Sequence, residues 1–206
     1  MRETGVAVLA IAVLYATIWP HELGHSAAAF VAGCKANWWE TDTSWFLWGS
    51  WGGDIDYDCL HARSGPALGL TEFAGIAVNL LLLAVALIVS RWHRLAWSSH
   101  RWILVGFVLW GLANYAEAYS YLVLNTLILK SDMKTVVQES GVSRWLWSGA
   151  GVLGAVACAR ALATPVQSMA AALATRRISR RGWLWLLGLY AAAVGLTMAA
   201  ARLVLT

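Results

Sequence analysis

Long apolar stretches separated by short polar ones set the layout of this chain. Gly5 to Gly33, Pro66 to Ser90, Trp102 to Leu129, Arg144 to Ala170 and Trp183 to Leu205 are predominantly apolar. Each is long enough to cross a hydrocarbon core of about 30 Å as a helix. The pattern predicts an all-α fold, a polytopic membrane helical bundle of about five transmembrane helices. The first stretch would be about 43 Å long at 1.5 Å per residue, more than a bilayer requires. Pro20 interrupts it; a proline there removes one backbone hydrogen bond and can kink the helix, although prolines are also common in membrane helices. A second proline, Pro165, marks a potential bend in the fourth stretch.

Composition agrees with that layout. Of 206 residues, 60% are hydrophobic and only 13% charged, far too apolar for an ordinary soluble domain. The expectation is a single integral membrane domain over 1–206, with a core at 5–132 and accessory helices at 144–206. The net charge of +4 does not point to nucleic acid, because the basic residues gather at the ends of apolar runs as orientation signals do. One side would carry Arg2, Arg91, Arg94, Arg101, Arg176, Arg177, Arg180 and Arg181 against the single acid Glu3. The other would carry Lys35, Arg63, Lys130, Lys134 and Arg144 against Glu40, Asp42, Asp54, Asp56, Asp58, Asp132 and Glu139. The positive-inside rule then puts the N-terminus in the cytoplasm and the 34–65 loop outside. The first apolar run has the look of a cleavable signal peptide, but cleavage near Ala27 to Ala29 would discard the residues of greatest chemical interest, so it is read as a retained span.

The 34–65 loop combines acids with Trp38, Trp39, Trp45, Trp48 and Trp51. Indole rings favour the headgroup level, so this segment is expected to be interfacial or partly re-entrant, either as a lid over a site or as a plain anchor. Cys34 and Cys59 bracket it and would pair if the loop faces an oxidising compartment. Cys158 lies in an apolar run and reads as a buried thiol.

The chemistry concentrates in His21-Glu22-Leu23-Gly24-His25. One helical turn separates the two histidines, so both imidazoles project from one face and can share a metal, with Glu22 beside them to handle a proton. Three such groups within one turn at membrane depth are costly unless paired or lining a cavity, at about 2.5 to 3.5 kcal/mol for a strongly charged type. Two histidines leave a tetrahedral zinc one protein ligand short, with a fourth position for water. Asp132, Glu117, Glu72 and His61 are the candidate third ligands. Asp132 is favoured because it lies just past the third stretch, at the depth of the histidines, and Glu117 is the main rival. Asn79 places one amide in a leucine-rich run, where it would either hydrogen-bond a substrate or a developing oxyanion, or bond a neighbouring helix.

These elements, His21-Glu22-Leu23-Gly24-His25, Gly75-Ile76-Ala77-Val78-Asn79 and an aspartate beyond a span containing Asn125, resemble the site-2 protease family of intramembrane zinc metalloproteases. The similarity covers about Gly5 to Asp132. It implies one catalytic zinc on His21, His25 and Asp132, with Glu22 and Asn79 as catalytic residues and a transmembrane helix of another membrane protein as substrate. Ile76 stands where the family usually has proline, Ser131-Asp132-Met133 replaces Leu-Asp-Gly, and no PDZ domain is inserted. Family members work near the cytosolic face, whereas the charge pattern puts this site nearer the outer one. The alternatives are a CAAX-type membrane zinc protease with Glu117 as third ligand, and a non-catalytic metal-binding membrane protein or transporter. Oligomeric state, substrate and cleaved bond are not legible in the residues.

Overall fold

The structure, a computed structural model, describes residues 3–40, 42–43, 50–51, 55–63, 66–92 and 101–174. It is built of helices, in the order α1 (Glu3–Val31), α2 (Tyr57–Ala62), α3 (Ala67–Trp92), α4 (Arg101–Tyr119), a π-helical turn at Ser120–Asn125, α5 (Thr126–Ile128), α6 (Ser131–Ser140) and α7 (Arg144–Ala174). Between α1 and α2 lies a two-residue antiparallel pair, β1 (Asp42–Thr43) with β2 (Ser50–Trp51). Two of the described helices are long and apolar enough to cross a membrane: Ala67–Arg91, with mean hydropathy 2.5, and Arg144–Ala171, with 1.4. The expected fifth stretch at 183–205 and the 176–181 arginines fall outside the described residues, as does most of the tryptophan loop.

Pro20 does not end α1, which runs through it. Proline lacks an N–H, so the carbonyl four residues earlier, that of Ala16, loses its helical partner. The indole Nε1 of Trp110 in α4 donates to that carbonyl at 3.1 Å. Beside it, Asn114 Nδ2 reaches Thr17 Oγ1 at 3.4 Å, and Thr17 Oγ1 donates to Val13 O at 2.9 Å. The proline thus creates an acceptor that docks α4 against α1.

At its other end α1 closes on Gly33, whose φ of 74° suits only a residue without Cβ. Cys34 N donates to Ala29 O and Gly33 N to Phe30 O, both at 2.9 Å, the paired bonds of a Schellman cap. Cys34 is disulfide-bonded to Cys59 in α2, as expected, and both pack with Ala29, Ile55, Leu60 and Leu68. Asp56 caps α2 by accepting from Cys59 N at 2.8 Å. The short helix is thereby fastened to the ends of both α1 and α3.

Helices α1 and α3 approach so closely that a Cβ on Gly24 would lie 2.8 Å from the carbonyl oxygen of Ala74. Backbone contact of this kind needs glycine on the approaching face. The segment 130–143, expected to be a polar loop, instead contains helix α6. Its apolar positions Met133 and Val136 are buried with Ile76 and Leu122, and that burial against α3 outweighs the polarity of the remaining residues. Gly141, at φ 65°, ends the helix.

Candidate metal centre

His21 and His25, on successive turns of α1, are 2% and 7% exposed. Their Nε2 atoms face each other at 3.0 Å. From the start of α6, Asp132 Oδ2 lies 3.5 Å from His21 Nε2 and 3.4 Å from His25 Nε2. Ligand bonds of 2.0–2.2 Å at tetrahedral angles imply ligand-to-ligand edges of about 3.3 to 3.6 Å, close to this triangle. Among the described residues these three are the group able to hold a metal ion.

The surrounding contacts fit that use. Asp132 Oδ2 is buried and has no hydrogen-bond partner, so one acceptor aimed at two imidazole nitrogens is unsatisfied by the protein. Burial alone would push this carboxyl up, but the imidazoles of His21 and His25 beside it outweigh that and hold the group below the usual carboxylate range. Asp132 also sits in the first turn of α6, where the helix N-terminus favours an anion. On the outer side, His25 Nδ1 donates to the backbone carbonyl of Thr71 at 2.8 Å, which leaves the Nε2 lone pair for a ligand bond.

His21 has a different outer partner. Its Nδ1 lies 3.0 Å from the Asn79 amide nitrogen, and the amide oxygen, fully buried, has no partner. With the amide nitrogen inward, it donates to Nδ1 and the ring proton sits on Nε2. A half-turn of the amide brings the oxygen inward instead; it then accepts from Nδ1–H and frees Nε2 for a metal. Asn79 therefore meets a ligand ring directly.

Gly75 completes the cradle. A Cβ there would lie 2.8 Å from both Cε1 and Nε2 of His21, and would also crowd His25 Nε2. The expected Gly-xxx-Asn element thus contributes twice, through a missing side chain and through an amide one helical turn later.

Glu22, 8% exposed, is close enough to His25 to affect it electrostatically. Of the other expected candidates, Glu117 is half-buried within electrostatic reach of His21 but does not join the three-residue cluster. Glu72, near the start of α3, lies beside the Tyr57 hydroxyl of α2. Burial and then the charge of Glu72 raise that hydroxyl's pKa. His61 is exposed on α2 and stands apart from the cluster. Two residues beside the centre were not foreseen. The Thr71 contact uses a backbone carbonyl and leaves no trace in side-chain pattern, whereas the ring of Tyr121 lies 5.2 Å from that of His21. The spacing of Asn114, Glu117 and Tyr121 along one helical face was the available signal for the latter. No protein-family model matches the chain, and neither the curated proteins nor the solved structures include one significantly similar to it.

Proposed function

We propose that the chain is an intramembrane zinc metalloprotease resembling the site-2 protease family, hydrolysing a peptide bond in or near a transmembrane segment of another membrane protein. The observation that carries this reading is the convergence of His21 Nε2, His25 Nε2 and Asp132 Oδ2 in the interior of a helical bundle, with the Glu22 carboxylate buried beside them. A nitrogen-rich set with one carboxylate suits zinc better than magnesium or calcium, which prefer oxygen donors.

Zinc, when bound, supplies Lewis acidity that acidifies water and polarises a carbonyl. Glu22 accepts the proton of the attacking water and delivers it to the leaving amine. Thr71 and Asn79 hold the two imidazoles with Nε2 inward; in this reading Asn79 acts on His21. The substrate helix unwinds locally to present its carbonyl, and water reaches the site through a polar opening. In the membrane we place the N-terminus in the cytoplasm and the 34–65 loop outside, in a bundle of about five spans. The Cys34–Cys59 disulfide supports an oxidising environment for that loop.

The CAAX-type alternative has less support, because Asp132 rather than Glu117 lies with the histidines. Glu22→Gln is the direct test of catalysis. It is expected to retain zinc at the wild-type stoichiometry and to abolish cleavage of a co-expressed single-span membrane reporter. Undiminished cleavage would defeat the mechanism, and a chain that binds metal yet never cleaves would favour the non-catalytic or transport reading.

A further inference from the structure

Helix α7 lies beyond the stretch that carries the motif residues, yet one of its faces meets α3, α5, α6 and the π-helical turn together. Arg144 Nη1 reaches the Leu127 carbonyl of α5 at 3.5 Å, and Ser148 Oγ reaches the Val123 carbonyl of the π-helical turn at 3.5 Å. A Cβ on Gly151 would lie 2.8 Å from the Leu122 carbonyl oxygen, so α7 and the π-helical turn touch backbone to backbone. Trp147 donates from Nε1 to Ser140 Oγ at the end of α6 at 3.2 Å, and its ring lies 5.7 Å from that of Phe73 in α3. Arg144, Trp147, Ser148 and Gly151 follow one another at helical spacing, which puts them on one side of α7.

Helix α6 depends on such support. It has ten residues, and helices shorter than about 12 to 15 residues are marginal without packing. The link from α5 also breaks helical continuity twice, at Leu129 with φ 51° and Ser131 with φ 52°. The direction of α6 is therefore set by what packs against it, not by the helix before it. Ile76 of α3, Leu122 of the π-helical turn and Trp147 of α7 gather with Met133 and Val136 in one cluster. Met133 directly follows Asp132, so a shift of this cluster is a shift of the ligand. At the other end, Ser140 Oγ accepts from Trp147 Nε1 and Val142 N and donates to Val137 O, which fastens the last turn of α6 to α7.

We propose that α7 braces the metal centre and that Trp147 and Gly151 are positioning residues for Asp132. Trp147 ties α6 to α3 through its N–H and its ring. Gly151 lets α7 approach the π-helical turn closely enough for Trp147 to reach both. Neither residue belongs to the three-residue cluster. The separations of Asp132 Oδ2 from the two histidine nitrogens, 3.5 and 3.4 Å, thus depend on a helix that supplies no ligand. This inference rests on the reading of His21, His25 and Asp132 as a metal site.

The test uses full-length purified protein in detergent, titrated with Zn²⁺ against a chromophoric chelator, and the absorption spectrum of the Co²⁺-loaded form. Trp147→Phe keeps a ring against Phe73 and removes the N–H, Ser140→Ala removes the same bond from the α6 side, and Gly151→Ala pushes α7 off Leu122. Each is expected to weaken Zn²⁺ binding about 10-fold, the lower end of what a displaced outer partner costs, and to weaken the tetrahedral Co²⁺ bands. In an Asp132→Ala background the same changes should leave the residual two-histidine affinity as it is, because they act through Asp132. Tyr115→Phe, which removes a bond from α4 to the Ala155 carbonyl of α7, should lower thermal stability with Zn²⁺ affinity equal to wild type. If wild type binds Zn²⁺ and Trp147→Phe and Gly151→Ala bind it equally well, the brace is refuted while the metal site stands. The brace is refuted likewise if these variants weaken binding as much without Asp132, or if Tyr115→Phe weakens it to the same extent. If wild type itself binds no metal, the metal site is refuted and the brace with it.

Discussion

Replacing Gly75 by alanine adds one methyl group at the place where the histidine nitrogens converge. That carbon would sit 2.8 Å from His21 Nε2 and Cε1, against a comfortable contact of about 3.5 to 4.0 Å. Relief therefore needs nearly 1 Å of movement in at least one ring, whereas metal–ligand distances tolerate about 0.2 Å. Neither ring is free to move, because His25 is held by Thr71 O and His21 by Asn79. Displacing such outer partners usually lowers metal affinity about 10- to 100-fold. The helix itself gains from the change, since alanine is favoured over glycine by about 0.8 to 1.0 kcal/mol in a helix interior. Gly75→Ala should thus stay folded without metal and respond poorly to it. At a free Zn²⁺ concentration 100 times the wild-type Kd, binding stabilises wild type by about 2.7 kcal/mol, and a variant 100-fold weaker by only about 0.4 kcal/mol. Thermal unfolding in detergent with and without Zn²⁺, backed by chelator competition, reads this directly. For a chain of this size the metal-induced rise in Tm should shrink from about 5–11 °C to about 1–2 °C. Equal Zn²⁺ affinity and equal Tm shifts in wild type and Gly75→Ala would refute the placement of the ion against Gly75.

Two further substitutions separate the centre from its scaffold. Asn79→Ala should weaken Zn²⁺ binding about 10- to 100-fold by releasing His21 Nδ1, measured by the same competition assay; unchanged affinity would show that the amide does not act on that ring. Trp110→Phe removes the donor to the carbonyl freed by Pro20 and should lower stability by about 1 to 3 kcal/mol in denaturant titration, with Zn²⁺ affinity unaltered.

The histidine pair was legible in the sequence because helical spacing alone brings His21 and His25 to one face. Asp132 was legible by depth, but the helix that carries it was not. Ser131 to Ser140 reads as polar, and only the burial of Met133 and Val136 against Ile76 and Leu122 makes it a docked helix. In the same cluster Ile76 of α3 packs with Met133 of α6, the two positions at which the residues differ from the motifs of the family that the sequence resembles. Asn79 stood out as a buried amide, yet its partner depended on the close approach of α1 and α3, which no local pattern encodes. Amphipathic reading likewise missed Tyr121, whose orientation depends on a π-helical turn.

The near-contact of Gly24 with Ala74 divides the centre into mechanically unequal halves. With backbone against backbone there are no side-chain rotamers between α1 and α3 to absorb a displacement. His21, His25, Glu22, Thr71, Gly75 and Asn79 consequently belong to one stiff frame. Asp132 belongs to another piece, the start of α6, joined to that frame through the side chains of Met133 and Val136 packed with Ile76. An ion held by all three residues would therefore tie that piece to the α1–α3 pair.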